Sequence, residues 1–424
     1  MRKIFFIFII FVLTGCTSGH VQEADIPVPN IIFTETAIPR QVSQEEEAFA
    51  QIDPDIPQFN EFHISLEFEP ETRTIHGIES VRYTNRSQET LERLAFRAFL
   101  NDMDIHHVFW DNEELNFDLQ ETALDIELPR ELEPEETIQI RIQFEAYIPL
   151  GTGIIGANQY AAWAGAFLPA DNMFMLDIVN YVVEITTPIG YVVAGTGIKS
   201  EEYLEDRKTT SFVAPMARNF AFAISPFFHI ETRTTSSDRE IRLYHYSENI
   251  HAELILDRAE EAMTIFEDAI GSYPFPQISI VETDIFRNGE SFSNVMFINS
   301  SATRRVGGLD GLQVGVGRQW FSIIIGNNSA EEAWLSDGLI TFILYNQQSL
   351  TNEYMLQYRI VIHALLQELG TEAFNELLRE YFRQFAFRTA GVEDFIALAE
   401  EIHDRDLQSF FMYWLNFIRH LENN

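Results

Sequence analysis

The spacing of apolar residues changes once along this chain, and that change constrains the fold more than any single motif. Between residue 59 and about residue 230, apolar and polar residues alternate, as in the runs 78–83, 138–142 and 181–185. Alternation with a period of two, interrupted by Pro, Gly and Asn, predicts half-buried antiparallel strands. Past about residue 241 the apolar residues recur every three or four positions, which predicts helices. The sequence therefore predicts a multidomain α+β chain in which an antiparallel β-sandwich or saddle-like sheet precedes a mostly helical part.

The predicted elements set the domain boundaries. We place the β-sheet domain at 58–235 and the helical domain at 236–421. The helical part contains one strand-like segment at 278–281, and the Gly- and Ala-rich segment 151–171 is predicted to be a long loop. Helices are predicted at about 254–270, 310–325, 329–347, 352–369, 371–384, 392–403 and 406–421.

Residues 1–16 have the pattern of a secretory signal peptide that ends in a cysteine. Two basic residues precede an apolar run from Ile4 to Leu13, which is shorter than the about 20 residues of a membrane-spanning helix. The following Thr14-Gly15-Cys16 completes a sequence that resembles the lipobox of bacterial lipoproteins, in which the cysteine is acylated. An ordinary signal peptide with an incidental cysteine is the alternative. Because Cys16 is the chain's only cysteine, we expect an exported protein, lipid-anchored at Cys16 to the outer face of a bacterial membrane.

Residues 17–57 are predicted to form an extended tether between this anchor and the folded body. They are polar and acidic and contain five prolines. The whole chain has a net charge of −37. A surface of that charge repels phosphates, so it argues against nucleic acid as a partner and against anionic lipid. Apolar residues nevertheless make up 46% of the chain, enough for a large core.

Ten short motifs occur in an order and at spacings that resemble one peptidase family. They are the segments 66–70, 75–78, 83–85, 188–197, 219–225, 271–276, 319–321, 334–339, 365–370 and 410–415. Between about Phe59 and Trp414 the chain resembles the membrane alanyl aminopeptidase family of gluzincin zinc peptidases. The resemblance implies that the helical part is a thermolysin-like domain, whose relatives bind catalytic zinc.

The zinc-binding motif of that family is degenerate in this sequence. In the family, HExxH holds two zinc-binding histidines one helical turn apart, with a glutamate as the general base. Segment 319–321 matches the residues after the second histidine. Counting back, Val314 and Arg318 occupy the two histidine positions and Gly315 occupies that of the base. The third-ligand position is Asp337, at the family's offset of nineteen residues from Arg318. The resemblance therefore implies no metal and no other cofactor in this chain.

The positions that bind substrate in the family also differ. Segment 289–294 aligns with the loop that binds the substrate's amino terminus, and Ser291 occupies the place of its glutamate. Glu290, one residue earlier, would substitute only after a shift of this loop. Met355 occupies the place of the catalytic tyrosine, and a one-residue shift would bring Tyr354 there instead. No catalytic residue of the family is therefore predicted to be retained, and Tyr354 is the least certain loss.

Two further predictions concern what replaces the metal and what lines the cleft. We expect Arg318 and Asp337 to pair where zinc would lie, because a buried carboxylate needs a partner. The alternative is that each side chain points to solvent. The cleft-lining candidates are Glu290, Phe292, Trp320 and Tyr354, although core packing is the more common role for the aromatic ones.

The sequence supports three functional hypotheses. The first is a membrane-anchored, catalytically inactive aminopeptidase-like lipoprotein that binds a peptide or protein at the cell surface. The second is an active zinc metalloaminopeptidase with an atypical site, and the third is a purely structural surface lipoprotein. The sequence indicates one partner, which is membrane lipid contacted through acylated Cys16.

Overall fold

The computed structural model describes residues 59–97, 103–121, 123–165, 178–248, 250–286, 288–304, 309–327, 332–345 and 353–422. All of them fall within the unit Gln44–Asn424. The predicted signal segment, Cys16 and the tether lie outside the described residues. The predictions for these residues therefore stay predictions. The predicted domain boundaries also stay predictions.

The largest sheet has eight strands and forms one wall of the β-rich part. In spatial order they are β13 (Ile198–Leu204), β14 (Arg207–Ala217), β11 (Val179–Pro188), β1 (Asn60–Glu69), β2 (Thr74–Thr84), β8 (Thr137–Tyr147), β4 (Met103–Trp110) and β5 (Glu113–Glu114). Along β1, buried residues alternate with half-buried or exposed ones, as the sequence pattern predicts. One face of the sheet is therefore available to pack against a second layer.

Two smaller sheets share an apolar core with this wall. The three-stranded sheet contains β3 (Leu91–Arg97), β7 (Ala123–Leu132) and β6 (Phe117–Gln120), and the four-stranded sheet contains β12 (Val192–Gly195), β15 (Phe222–Ser225), β10 (Ala162–Ala164) and β9 (Ile155–Ala157). Ile142 of the large sheet, Leu124 and Phe222 belong to one buried cluster. Strands β9 and β10 lie in the segment predicted to be a loop, because three-residue strands are too short to show alternation.

The large sheet contains one parallel pair, which corrects the prediction of a purely antiparallel sheet. Strands β1 and β11 run parallel, with Asn60 opposite Val179 and Glu67 opposite Thr186. Parallel neighbours need a long connection. Residues 70–178, which include both smaller-sheet hairpins, provide it.

A five-stranded mixed sheet spans the predicted boundary, and four of its strands lie in the part that was predicted to be mostly helical. Its strands are β16 (His229–Thr234), β17 (Glu240–His245), β18 (Gln277–Thr283), β20 (Val295–Asn299) and β19 (Gly289–Phe292). Strand β18 is buried along its whole length and confirms the strand predicted at 278–281. The neighbouring strands have four to six residues, which is too few to distinguish them from loops by periodicity.

The described helices occupy the rest of the chain. They are α1 (Ala252–Ala269), α2 (Ser300–Thr303), α3 (Asp310–Gly317), α4 (Ala333–Tyr345), α5 (Glu353–Leu369), α6 (Thr371–Phe385), α7 (Val392–His403) and α8 (Gln408–Glu422). Helix α1 buries Ala259, Ala262, Met263 and Phe266, the stripe that its sequence predicts. In the described residues, no helix has the length and apolar character needed to cross a membrane.

Helix α3 is shorter than the predicted helix at 310–325. It ends at Gly317, and the chain continues in turns. There the amides of Ile323, Ile324 and Ile325 donate to carbonyl oxygens five residues earlier, at 3.2, 3.0 and 3.0 Å. Three consecutive β-branched residues lower the helical propensity of this segment, which agrees with the early end of the helix.

Candidate functional site

Helix α3 carries the residues that align with the zinc-binding motif. The amide of Arg318 donates to the carbonyl oxygen of Val314 at 3.0 Å, so the two positions lie one helical turn apart. This is the spacing that two zinc-binding histidines need. Val314 is buried and apolar, and Arg318 is a permanent cation with no lone pair to donate. Neither side chain can therefore bind zinc.

Gly315, at the position of the general base, lies against the neighbouring strand β20. A Cβ atom placed on Gly315 would lie 2.6 Å from both Cε and Sδ of Met296. Met296 is fully buried. Any side chain at position 315 therefore requires the thioether of Met296 to move, and the site has no space for a carboxylate as it stands.

Ser291, at the position of the amine-binding glutamate, is hydrogen-bonded to the backbone of Gly315. Its hydroxyl donates to the carbonyl oxygen of Gly315 at 2.9 Å. Glu290 precedes it on β19, and consecutive side chains on a strand face opposite ways. Glu290 therefore faces away from α3 in this register, and it does not take the place of the missing glutamate.

Arg318 pairs with Asp337 of helix α4, which confirms the predicted pair. Nη2 of Arg318 lies 3.3 Å from Oδ1 of Asp337, and their side chains are 28% and 16% exposed. The backbone carbonyl of Asp337 also accepts a hydrogen bond from the hydroxyl of Thr341. A guanidinium thus neutralises the one carboxylate that aligns with a zinc ligand.

The donor set at these positions does not fit zinc. A zinc site of this type needs three protein ligands, usually histidine and carboxylate. Here Asp337 is the single residue with a suitable donor, and it is engaged by a cation. Across the described ranges, no three His, Cys, Asp or Glu side chains are arranged so that they could hold a metal ion.

Gln319 was not predicted as a site residue, yet it organises the loop beside α3. Its Oε1 accepts hydrogen bonds from the hydroxyl of Tyr273 at 3.1 Å and from the amide of Asn294 at 3.0 Å. Its Nε2 donates to the carbonyl oxygen of Phe292 at 2.9 Å. Burial raises the pKa of the Tyr273 hydroxyl, so that group remains a donor. The loop 292–294 is therefore fixed by one fully buried amide.

The β-rich part fixes the same loop from its other side. The backbone amide of Arg218 donates a hydrogen bond to the hydroxyl of Ser293 at 3.0 Å. The backbone amide of Ser293 donates to Oδ1 of Asn219 at 2.9 Å. The amide of Gly197 donates to Asn294 Oδ1 at 2.7 Å. Gly197 has φ of +96°, and a Cβ atom there would lie 2.5 Å from the carbonyl oxygen of Val213. Glycine is thus required at this junction.

The aromatic cleft candidates that the structure describes lie in the core. Trp320 is fully buried, stacks on Phe266 with ring centroids 5.4 Å apart, and donates from Nε1 to the carbonyl oxygen of Gly271 at 2.9 Å. Phe292 is 2% exposed and packs edge-on against Phe297. The core alternative therefore holds for both residues. For Trp320 the sequence signal was its place amid apolar helix positions.

The aligned tyrosine position lies at the beginning of helix α5. Tyr354 and Met355 are both in its first turn, but the side chains of residues 353–357 are outside the described part of the structure. The proposed substitution of Tyr354 for the family's tyrosine therefore stays a prediction. Tyr358, one turn later, is buried.

Comparison with known proteins gives one sequence relative of low identity. No family model matches the chain. Aminopeptidase M1-D from Oryza sativa subsp. japonica is 20% identical over 274 residues, which are 51% of this chain and 31% of that protein. The chain therefore spans about a third of the length of the curated relative that it matches.

Solved structures of peptidases match over most of the chain. The M1 zinc metallopeptidase from Deinococcus radiodurans has a TM-score of 0.69 and 14% identity, over 84% of this chain and 92% of that one. A two-domain M1 zinc metallopeptidase mutant bound to L-tryptophan has a TM-score of 0.70 and 14% identity, over 84% and 94%. The predicted α+β fold class is thus confirmed: this chain has the fold of the two-domain M1 zinc metallopeptidases, with a β-rich N-terminal part and a helical C-terminal part.

Proposed function

We propose that this protein is a catalytically inactive, aminopeptidase-like lipoprotein. In this proposal it is exported, anchored through acylated Cys16 to the outer face of a bacterial membrane, and binds a peptide or a protein there. The observation that carries the proposal is the hydrogen bond from Ser291 to the backbone of Gly315. Two positions that would act on a substrate in the related peptidases contact each other instead.

Peptide hydrolysis at this site would lack a general base and a set of zinc ligands. A general base must accept a proton from the attacking water at neutral pH. Gly315 has no side chain, and a guanidinium is a cation that cannot serve as a base. Asp337 is engaged by Arg318. The electrostatics of the site thus give no means of activating water.

In contrast, the side chains that hold the loop 292–294 have hydrogen-bond partners. Gln319 holds Phe292 and Asn294, while Asn219 and Arg218 hold Ser293. A loop with this many buried hydrogen bonds is preorganised, which lowers the conformational cost of binding a ligand beside it. A binding role would make use of this preorganisation.

Thermal unfolding in the presence of peptides tests the binding role. A ligand at 100 times its Kd stabilises the folded state by about 2.7 kcal/mol. Free peptides that bind should raise Tm, and their N-acetylated forms serve as matched controls that report on amino-terminal recognition. If no peptide or envelope extract raises Tm, the purely structural lipoprotein is the better account.

Release of a chromophore from aminoacyl substrates tests inactivity in the same samples. We expect no release above the buffer rate. Chelator-sensitive turnover would instead support the active zinc metalloaminopeptidase with an atypical site.

Radiolabelled palmitate tests the proposed anchor. The wild-type chain, expressed in a bacterial host, should incorporate the label and fractionate with membranes. Cys16→Ser removes the acceptor thiol and should abolish the labelling. Labelling of Cys16→Ser, or absence of labelling in the wild type, would overturn the anchoring proposal.

A further inference from the structure

The chain contains one Asn-Gly sequence, at Asn288 and Gly289. In such a pair the backbone nitrogen of the glycine can attack the side-chain carbonyl of the asparagine, because glycine has no Cβ atom to hinder the approach. Asn288 is exposed, and Gly289 is the first residue of strand β19. The pair therefore lies at the surface, on the strand that also carries Ser291.

The pairing of β19 with β20 leaves the amide of Gly289 on the outer side of the strand. The amide of Asn299 donates to the carbonyl oxygen of Asn288 at 3.1 Å, and Gly289 lies opposite Ile298. In an antiparallel ladder, residues that bond to the neighbouring strand alternate with residues that do not. The N–H of Gly289 therefore points away from β20. Among the described strands, β19 is at the edge of its sheet, so the ladder does not hold this nitrogen.

Two other asparagines in this segment are held by hydrogen bonds. Asn294 is 3% exposed, and its Oδ1 accepts the amide of Gly197 at 2.7 Å. Oδ1 of Asn299 accepts the amide of Ser301 at 2.8 Å. A side-chain carbonyl held in this way must break its bond before it can meet the next backbone nitrogen. Asn288 differs from both because it is exposed and precedes a glycine.

We propose that Asn288 is a site of spontaneous deamidation through a succinimide. The nitrogen of Gly289 loses its proton and forms a bond to Cγ of Asn288. The bond from Cγ to Nδ2 breaks, and the amide nitrogen leaves with that proton as ammonia. Water then opens the five-membered ring. Attack of water at Cγ gives aspartate, and attack at the main-chain carbonyl carbon gives isoaspartate. Water is the one co-reactant that the sequence of steps consumes.

Isoaspartate at position 288 would alter the strand that carries Ser291. It routes the main chain through Cβ, which adds one carbon and about 1.5 Å ahead of Gly289. The carbonyl that accepts from Asn299 becomes part of a free carboxylate. Strand β19 has four residues, so few ladder bonds oppose its displacement. The modification would therefore loosen the contact between Ser291 and Gly315, and would add a negative charge beside it.

Incubation of the full chain in warm buffer, at neutral and at mildly alkaline pH, tests the proposal. Tandem mass spectrometry of digests locates each deamidated asparagine, and labelling by protein isoaspartyl methyltransferase detects isoaspartate. We expect both products at Asn288, at a rate that rises with pH because the attacking nitrogen must lose its proton. Asn112 is the control within the same sample. It is exposed but precedes Glu113, so it should stay intact.

Two variants separate attack by the glycine nitrogen from other causes of deamidation. Gly289→Ala places a methyl group beside the nitrogen and should slow the modification about tenfold or more. That methyl group would lie 3.0 Å from Cε of Met296, so thermal unfolding before incubation confirms that the variant is folded. Asn288→Gln would have to close a larger ring and should stay unmodified. After equal incubation, the wild type should have a lower Tm than Asn288→Gln.

Three results would overturn the proposal. The first is an intact Asn288 in the folded chain while the urea-unfolded chain is modified, because the fold would then protect the pair. The second is equal modification of the wild type and Gly289→Ala. The third is aspartate without isoaspartate, which would indicate direct hydrolysis of the side-chain amide. The reaction needs neither the proposed anchor nor a bound peptide, so this proposal and the proposed function fail separately.

Discussion

The hydroxyl of Ser291 lies 2.9 Å from the carbonyl oxygen of Gly315 and donates a hydrogen bond to it. This bond joins the edge strand β19 to helix α3. In the aminopeptidase family that the sequence resembles, the aligned positions carry two glutamates with separate tasks. Here they are a serine and a glycine joined by a hydrogen bond. The predictions below test that replacement and the stability of the surrounding fold.

Introducing a methyl group at position 315 should destabilise the protein. Gly315→Ala gains up to about 1 kcal/mol of helix propensity. It also forces a Cβ atom against Met296, and overpacking costs about 1–3 kcal/mol. We therefore expect a net loss of about 1 kcal/mol in the free energy of unfolding, measured by urea titration. Gly190→Ala is the control, because a Cβ there contacts nothing within 4 Å. An equal effect at both positions would contradict the crowding at Gly315.

The Arg318–Asp337 pair should contribute measurably but modestly to stability. Both side chains are partly exposed, so solvent screens the interaction. A double-mutant cycle with Arg318→Ala and Asp337→Ala should give a coupling energy of about 0.5–1.5 kcal/mol. The coupling should decrease in 1 M NaCl, where the Debye length is about 3 Å. A coupling energy of zero at low salt would show that the pair is not formed in solution.

Two histidines at the aligned positions should create a zinc site. Val314→His with Arg318→His would place two imidazoles one turn apart, beside the carboxylate of Asp337. We expect this double variant to bind about one Zn²⁺ per chain in an equilibrium titration. Arg318→His alone offers one imidazole and should bind much more weakly. Hydrolysis should remain absent in the double variant, because position 315 still lacks a base. Failure to bind zinc would mean that these positions do not correspond to the family's ligands.

Removing the amide of Gln319 should cost more than removing one of its partners. Gln319→Ala leaves the Tyr273 hydroxyl, the Asn294 amide and the Phe292 carbonyl without their partner. Each buried unsatisfied group costs about 1–3 kcal/mol. Tyr273→Phe removes one bond and should cost about 1 kcal/mol. Chemical denaturation of the two variants compares them, and similar losses would contradict the central role of Gln319.

Glu79 should make stability depend on pH. It is fully buried on β2, and neither carboxyl oxygen has a hydrogen-bond partner. Burial raises its pKa well above the ordinary value. Because the folded pKa exceeds the unfolded one, the contribution of the neutral carboxyl is complete below about pH 4. It is lost as pH rises through the folded-state pKa.

Glu79→Gln keeps the shape of this side chain but cannot ionise. Its free energy of unfolding, relative to wild type, should therefore increase as pH is raised from 4 to 9. Glu202→Gln, at an exposed position on β13, controls for the substitution itself. A Glu79→Gln difference that does not change with pH would contradict the buried, unpartnered carboxyl.

The strong periodic patterns of the sequence predicted the layout of the fold. Alternation identified long strands such as β1, and the helical stripe identified α1. The parallel pairing of β1 with β11 was not predictable from local pattern, because it depends on a connection of more than a hundred residues. The short strands β19 and β20 were missed for a related reason. Their tertiary partners, and not periodicity, determine them.

The candidate site was predicted in part. The spacing of the motifs placed Arg318 and Asp337 at one site, and their opposite charges predicted that they would pair. The role of Gln319 could not be inferred in this way, since its partners come from three separate segments of the chain. Gly315 was recognised as a lost base, but the thioether of Met296 that fills its surroundings has no sequence signature.

The zinc content of the purified protein tests the central claim most directly. The full chain is equilibrated with excess Zn²⁺ and dialysed, and its metal content is then measured by mass spectrometry together with turnover of an alanyl chromogenic substrate. Our account predicts far less than one zinc per chain, and no turnover that a chelator can abolish. One zinc per chain with chelator-sensitive turnover would contradict it.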